Sequence, residues 1–182
     1  MAHASVNSAV SERAAQVRLM IFDVDGVLTD GRLYFSAEGE LLKAFDTLDG
    51  QGLKLLAASG IQLALITGRR SQIVAARAQE LGIAWVYQGV RDKAVAFAEL
   101  LSQAHYTAEQ CGYMGDDWPD LPVMLKVAFA AAPANAHAEV LARAHWVARA
   151  QGGAGAVREA CDLILQAQHS YTKLLLTACG QA

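Results

Sequence analysis

Ile21-Phe22-Asp23-Val24-Asp25-Gly26-Val27-Leu28-Thr29-Asp30 opens on an apolar run that begins at Leu19 and then sets two carboxylates two residues apart. Such a run reads as a buried strand of a parallel sheet. Side chains alternate along a strand, so Asp23 and Asp25 start out on the same side. Gly26 ends the strand and lets the chain turn. Two like charges at the end of a buried strand are unfavourable unless a cation or ligand compensates them. Ligands of open α/β sheets sit at the carboxyl ends of the strands. The stretch therefore points to a divalent-cation or phosphate site at the tip of the first strand.

Plainer readings of the Asp pair exist. It could cap a helix or make a turn. A calcium loop also starts Asp-x-Asp, but its third ligand position would be Val27 and its glycine position Leu28. A dinucleotide fold needs G-x-G-x-x-G after the first strand, and none follows.

The rest of the chain narrows the class. Its 182 residues suffice for one domain with a substantial core, and 54% of them are apolar, which excludes disorder. The net charge is −3 with no basic block, so neither nucleic acid nor an anionic membrane is the expected partner. No apolar run approaches membrane-spanning length, and Met1 to Gln16 has no signal-like apolar core. Cys111, Cys161 and Cys179 are odd in number and form no C-x-x-C, which suits inert thiols in a reducing cytoplasm.

Outward from Asp30, Gly31 to Phe45 reads as a β-hairpin with its turn at Glu38-Gly39. Asp46 to Gly52 reads as a polar loop and Leu53 to Ser59 as a short helix. Ile61 to Thr67 is a second buried strand. Ser71 caps a helix that runs to Leu81 and stops at Gly82. Ile83 to Gln88 is a third strand. Asp92 to His105 is an amphipathic helix whose apolar face is Val95, Phe97, Ala98, Leu100 and Leu101. Thr107 begins a short helical piece, and a strand follows from Cys111 to Gly115. Leu121 to Val127 and Asn135 to Ala144 read as helices, Ala128 to Ala132 and Trp146 to Ala148 as strands. The glycine-rich Gly152-Gly153-Ala154-Gly155 loop precedes a C-terminal helix, or helix plus tail, from Ala156 to about Leu176. Strand and helix alternate, which predicts a doubly wound, mostly parallel α/β sheet with helices on both faces. The expected organisation is a loose or partly helical lead-in over residues 1–17, one domain over 18–168 with its hairpin at 32–45, and a tail over 169–182.

Several strands end in chemistry. The first ends in Asp23 and Asp25, the second in Thr67-Gly68-Arg69, and the fourth in Gly115-Asp116-Asp117, with Asp120 just beyond. Lys93 starts the helix after the third strand. Singly, each residue has an ordinary reading: a cap, a turn or a solvated charge. Together, at one edge of a parallel sheet, carboxylates, a hydroxyl and an ammonium suit a phosphate and a hard cation. Mg2+ takes a few carboxylate oxygens and shares the phosphate, while Lys93 offsets the negative charge.

In this order the motifs resemble the haloacid dehalogenase superfamily of phosphohydrolases, over about residues 18–160. A phosphate-accepting receiver domain would have a lone Asp before Thr and Lys. The resemblance implies that Asp23 is the nucleophile and Asp25 the general acid. It implies that Thr67 and its neighbours Gly68 and Arg69 bind the phosphoryl group and substrate, and that Lys93 steadies both. Mg2+ would be held by Asp23, the Asp25 carbonyl and Asp116, with Asp117 and Asp120 in support. Relatives insert a cap domain after the first or second motif, and neither interval here has room for one. The Phe45 to Leu56 stretch and Gly152-Gly153-Ala154-Gly155-Ala156-Val157-Arg158-Glu159 are similar to the capless 3-deoxy-D-manno-octulosonate 8-phosphate (KDO 8-phosphate) phosphatases. That similarity implies a cytoplasmic Mg2+ enzyme of lipopolysaccharide precursor synthesis. It also implies a homotetramer in which a neighbouring subunit closes the site with its hairpin and C-terminal tail. Ala154 departs from the pattern, which carries Arg or another polar residue there. Arg69, Arg70 and Arg158 are candidates for reading the sugar carboxylate. Alternatives are a phosphatase for a sialic-acid-type 9-phosphate and a non-catalytic assembly protein of the same fold.

Overall fold

A computed structural model of the chain describes residues 7–181. The first six residues of the expected lead-in and the last residue of the expected tail lie outside the described residues. The strands are β1 (Leu19–Phe22), β2 (Tyr34–Ser36), β3 (Gly39–Leu42), β4 (Gln62–Thr67), β5 (Trp85–Gln88), β6 (Cys111–Met114), β7 (Phe129–Ala132) and β8 (Trp146–Val147). The helices are α1 (Ser8–Ala15), α2 (Thr47–Ala58), α3 (Gln72–Glu80), α4 (Lys93–Ala104), α5 (Leu121–Met124), α6 (Ala138–Leu141), α7 (Ala156–Ala167) and α8 (Tyr171–Ala178).

Six strands form one sheet in the order β5-β4-β1-β6-β7-β8, with all neighbours parallel. β2 and β3 pair antiparallel as a separate hairpin. The alternation of β1 explains the two cores. Met20 and Phe22 face a cluster completed by α1, α2, α3 and α7. Leu19 and Ile21 face the opposite cluster, completed by α4, α5 and α6. Both faces of the sheet are covered, as the apolar strands require. After β1 the chain builds outward through β4 and β5, then crosses back to β6 on the other side of β1. The strand order reverses between β1 and β6, which is where open α/β sheets open a crevice at their carboxyl edge.

The structure departs from the sequence expectations at several boundaries. Asp46 to Gly52 is not a loop: α2 starts at Thr47, and Asp46 caps it by accepting from the Leu48 and Asp49 amides at 2.7 and 3.1 Å. Its glycines mark close packing rather than a turn, since a Cβ at Gly52 would lie 2.9 Å from Arg158 Cδ on α7. In α4 Val95 points to solvent at 64% exposure, while Lys93, Ala96, Phe97 and Leu100 turn inward. The inward Lys93 sets the helix phase, and i, i+3, i+4, i+7 spacing does the rest. α5 and α6 are single turns, shorter than expected. The C-terminal segment is two helices rather than one, broken around His169, whose φ is +57°. The lead-in is helical from Ser8 and tucks Ala14 into the core beside Val17.

Candidate active site

The Asp23 amide donates to the Met114 carbonyl at 3.0 Å, so β1 and β6 stay joined one residue past the strand. The chain then coils. The Val24 carbonyl accepts from the Val27, Leu28 and Thr29 amides at 3.3, 2.9 and 3.0 Å. Asp25 therefore sits in a turn rather than on the strand, and the two carboxylates take different partners. Gly26, at φ +96°, is required at the turn: a Cβ there would fall 2.1 Å from an Asp116 carboxylate oxygen.

Asp23, Lys93, Asp116 and Asp120 come together. Lys93 Nζ lies 2.8 Å from Asp23 Oδ1 and 2.6 Å from Asp120 Oδ1. Asp120 also accepts from Tyr113 Oη at 2.6 Å and from the Asp116 and Asp117 amides at 3.0 and 3.2 Å. Four donors fill Asp120, which makes it a buttress for Lys93 and for the loop after β6. Asp117 itself is exposed. Asp23, Asp116 and Asp120 each present a carboxylate oxygen, all within 4.8 Å of one another. Since Asp120 is already satisfied, Asp23 and Asp116 are the pair free to hold a cation. Asp116 Oδ1 is buried without a hydrogen-bond partner, the orphan a hard cation would satisfy.

Charge crowding appears in the acidities. Burial, with the charges of Asp23 and Asp120 added, pushes Asp116 up to about 8. Burial and Asp120 raise Asp23 to about 6 against the pull of Lys93. Burial works against the Lys93 ammonium, but Asp23 and Asp120 more than offset it and its pKa rises. These directions describe a pocket that favours added positive charge.

Thr67 is buried at the end of β4, and the Arg69 amide lies 3.4 Å from its Oγ1. Gly68 is exposed beside it. The Arg69 guanidinium stands 5.4 Å over the Phe35 ring of the hairpin, and its Nε is buried without a partner. Arg70 packs across Gly89, and Arg158 pairs with Asp162 at 2.8 Å on α7, so neither matches Arg69 in its approach to the hairpin. Ala154 is exposed.

Sequence reasoning missed three groups. Lys43, just after β3, sends a side chain only 1% exposed to the Asp25 carboxylate and lies 3.2 Å from Glu40. Glu40 accepts in turn from Ser71 Oγ. Tyr113 is fully buried under Asp120, and a buried strand tyrosine must satisfy its hydroxyl, a signal visible in the sequence. Asp49, also buried, accepts from the Arg158 amide at 2.7 Å and joins α2 to the start of α7. That start is the glycine-rich loop, whose Gly153 amide donates to the Val27 carbonyl at 2.9 Å. A Cβ at Gly152 would lie 1.8 Å from the Gly26 carbonyl oxygen, so the loop backs directly onto the Asp25-Gly26 turn.

A carboxylate held by an ammonium at the end of β1, with a second carboxyl in the adjoining turn and a buried threonine across the switch point of a doubly wound sheet, is the arrangement of the haloacid dehalogenase class of phosphohydrolases. No family model matches the chain. It is 52% identical over 159 residues to the 3-deoxy-D-manno-octulosonate 8-phosphate phosphatase KdsC of Yersinia pestis, covering 87% of this chain and 85% of that protein. It is 47% identical to the protein of the same name from Escherichia coli K12, covering 90% and 87%. Among solved structures it is similar to the KDO 8-phosphate phosphatase of Moraxella catarrhalis in complex with magnesium ion, phosphate ion and KDO. That similarity has a TM-score of 0.92 and 39% identity, over 94% of this chain and 99% of that one. The chain belongs to the 3-deoxy-D-manno-octulosonate 8-phosphate phosphatase family.

Proposed function

We propose that the chain is a Mg2+-dependent phosphatase that hydrolyses KDO 8-phosphate to KDO and phosphate through an aspartyl-phosphate on Asp23. The observation that carries the mechanism is the arrangement of Asp23: held by Lys93 at 2.8 Å and standing beside the unpartnered oxygen of Asp116. Family membership supports the substrate, and the magnesium, phosphate and KDO of the Moraxella structure support the site.

Mg2+, held by Asp23, Asp116 and the Asp25 carbonyl, would supply charge neutralisation and orientation of the phosphoryl group. The chain's own groups do the rest. An Asp23 oxygen attacks phosphorus, and the bond to the sugar oxygen breaks. Asp25 gives its proton to the departing alkoxide. Thr67 and the Gly68-Arg69 segment hold the phosphoryl oxygens, and Lys93 balances charge as it shifts between carboxylate and phosphate. Asp25 then takes a proton from water, whose oxygen attacks phosphorus and releases Asp23 and inorganic phosphate. Asp120, through its four donors, keeps Lys93 and the Asp116 loop in register.

Among the described residues no cap domain stands over the site, and this and the exposed hairpin support closure by another subunit. Phe35 and Leu41 are 56% and 61% exposed, and α8 buries none of its residues. Apolar surface of this kind supports an interface, and the reading is a homotetramer whose neighbours cover the site with hairpin and tail. The expected location is the cytoplasm. Among the described residues no helix is long and apolar enough to cross a membrane.

The test is phosphate release from a panel of sugar phosphates, with and without Mg2+. Strong metal-dependent preference for KDO 8-phosphate is expected. Metal-dependent preference for a sialic-acid-type 9-phosphate would move the substrate and leave the mechanism. No release from any member by folded protein would contradict both.

A further inference from the structure

The hairpin is tied to its own subunit's site at three points. Arg69 stacks on Phe35 at 5.4 Å. Ser71 Oγ donates to Glu40. Lys43 Nζ pairs with Asp25 Oδ1 and with Glu40 at 3.2 Å. Of these, only Lys43 touches a carboxyl to which the chemistry assigns proton transfer.

We infer that Lys43 is a positioning residue for proton transfer: it binds one oxygen of Asp25 and so turns the other toward the oxygen that leaves with the sugar. The inference rests on the general-acid role given to Asp25 above. The geometry argues for it in three ways. First, Asp25 lies in a turn rather than on β1, so the strand does not fix its side chain. Apart from Lys43, no side-chain donor reaches its carboxylate among the described residues. Second, the Lys43 side chain is 1% exposed. A buried ammonium is strongly held where its partners are and has little freedom to wander. Third, Lys43 is itself fixed from a different element. Glu40 takes the other side of its charge and is anchored to Ser71, the cap of α3. The Asp25 carboxyl is thus braced through Lys43 and Glu40 against the loop that follows β4, which carries Arg69 and starts directly after Thr67. Phosphoryl-binding and proton-transferring groups are held in one frame.

A brace for an acid has a signature that a brace for the fold lacks. Sugar alkoxides leave only with a proton, whereas the phenolate of 4-nitrophenyl phosphate leaves without one. Correct placement of a general acid contributes about a hundredfold or more to a reaction that needs it. Lys43→Met keeps length and apolar volume and removes the donor. In rapid mixing, before water attack (which needs Asp25 with either substrate), it should slow first-turnover release of the sugar by about tenfold or more and of 4-nitrophenolate by less than about threefold, with KM for the sugar phosphate little changed. Lys43→Gln, which keeps a weaker donor, should fall between. It also supplies the comparison if Lys43→Met does not fold, because the selective loss is then read from it alone. Asp25→Asn is measured alongside, by the same first-turnover release. If Asp25→Asn is selective for the sugar phosphate and the folded Lys43 variants lose both substrates equally, or neither, the inference is overturned and the role of Asp25 stands. If Asp25→Asn is not itself selective, the general-acid reading fails and the inference fails with it.

Discussion

Asp23 and Lys93 were legible from the sequence because each sits beside a strongly patterned strand, and strands of a parallel sheet deliver their carboxyl ends to one edge. Their environments were not. Asp120 reads as a supporting group from the sequence; in the structure Tyr113, Lys93 and two backbone amides donate to it. Asp23→Asn should abolish turnover, by on the order of a million-fold, while circular dichroism stays native. Activity near wild type would remove Asp23 from its role. Lys93→Ala should lose about a hundred- to a thousandfold in kcat, as for deletion of one charge-stabilising donor. Tyr113→Phe leaves Asp120 one donor short in a buried place and should cost about 1–3 kcal/mol in denaturant unfolding, with a smaller loss in kcat. An unchanged midpoint would show the Tyr113 hydroxyl to be dispensable. Lys43 stayed hidden because a lone lysine in an apolar hairpin gives no hint of which loop it will reach.

Helices were harder to read than strands. Asp49, Gly50 and Gly52 look like turn chemistry, yet two of them are places where another element comes close: Arg77 against Gly50 and Arg158 against Gly52. Local propensity reads glycine as a break, and tertiary contact overrides it. The same holds for the glycine-rich loop before α7, where the sequence shows flexibility and the structure shows contact. Gly152→Ala forces a methyl onto the Gly26 carbonyl, 1.8 Å from its ideal position. Overpacking of this kind costs about 1–3 kcal/mol, and a shift of about 1 Å in the Asp25 turn is enough for roughly a hundredfold in rate. The expected result is a lower unfolding midpoint and a larger loss in kcat than in stability. Full activity with a lowered midpoint would separate the loop from the chemistry.

The doubly wound sheet followed from alternating strands and helices, and its switch point placed the site. One chain gives no sign of what would cover its exposed hairpin. Light scattering at micromolar concentration should give a tetramer, and Phe35→Glu with Leu41→Glu should yield smaller species; a monomeric wild type would contradict shared closure. The raised carboxyls also act on the whole fold. Asp23 at about 6 and Asp116 at about 8 bind protons in the folded state that the unfolded chain, near 3.8, has released. Below about 4 both states are protonated and there is no penalty. As pH rises from about 4 to about 8 the metal-free protein therefore loses stability. Mg2+ prefers the ionised carboxylates, so its stabilisation should be larger at pH about 8 than at about 5, read as the rise in Tm on adding it. An equal rise at both would contradict metal binding by this pair. The most direct test of the account is to quench the enzyme during turnover of KDO 8-phosphate, reduce with borohydride and map the peptides by mass spectrometry. An acyl phosphate is reduced to the alcohol, so homoserine should appear at position 23 and at no other aspartate. Phosphate release without homoserine at 23, or with it at another carboxylate, would contradict the aspartyl-phosphate on Asp23.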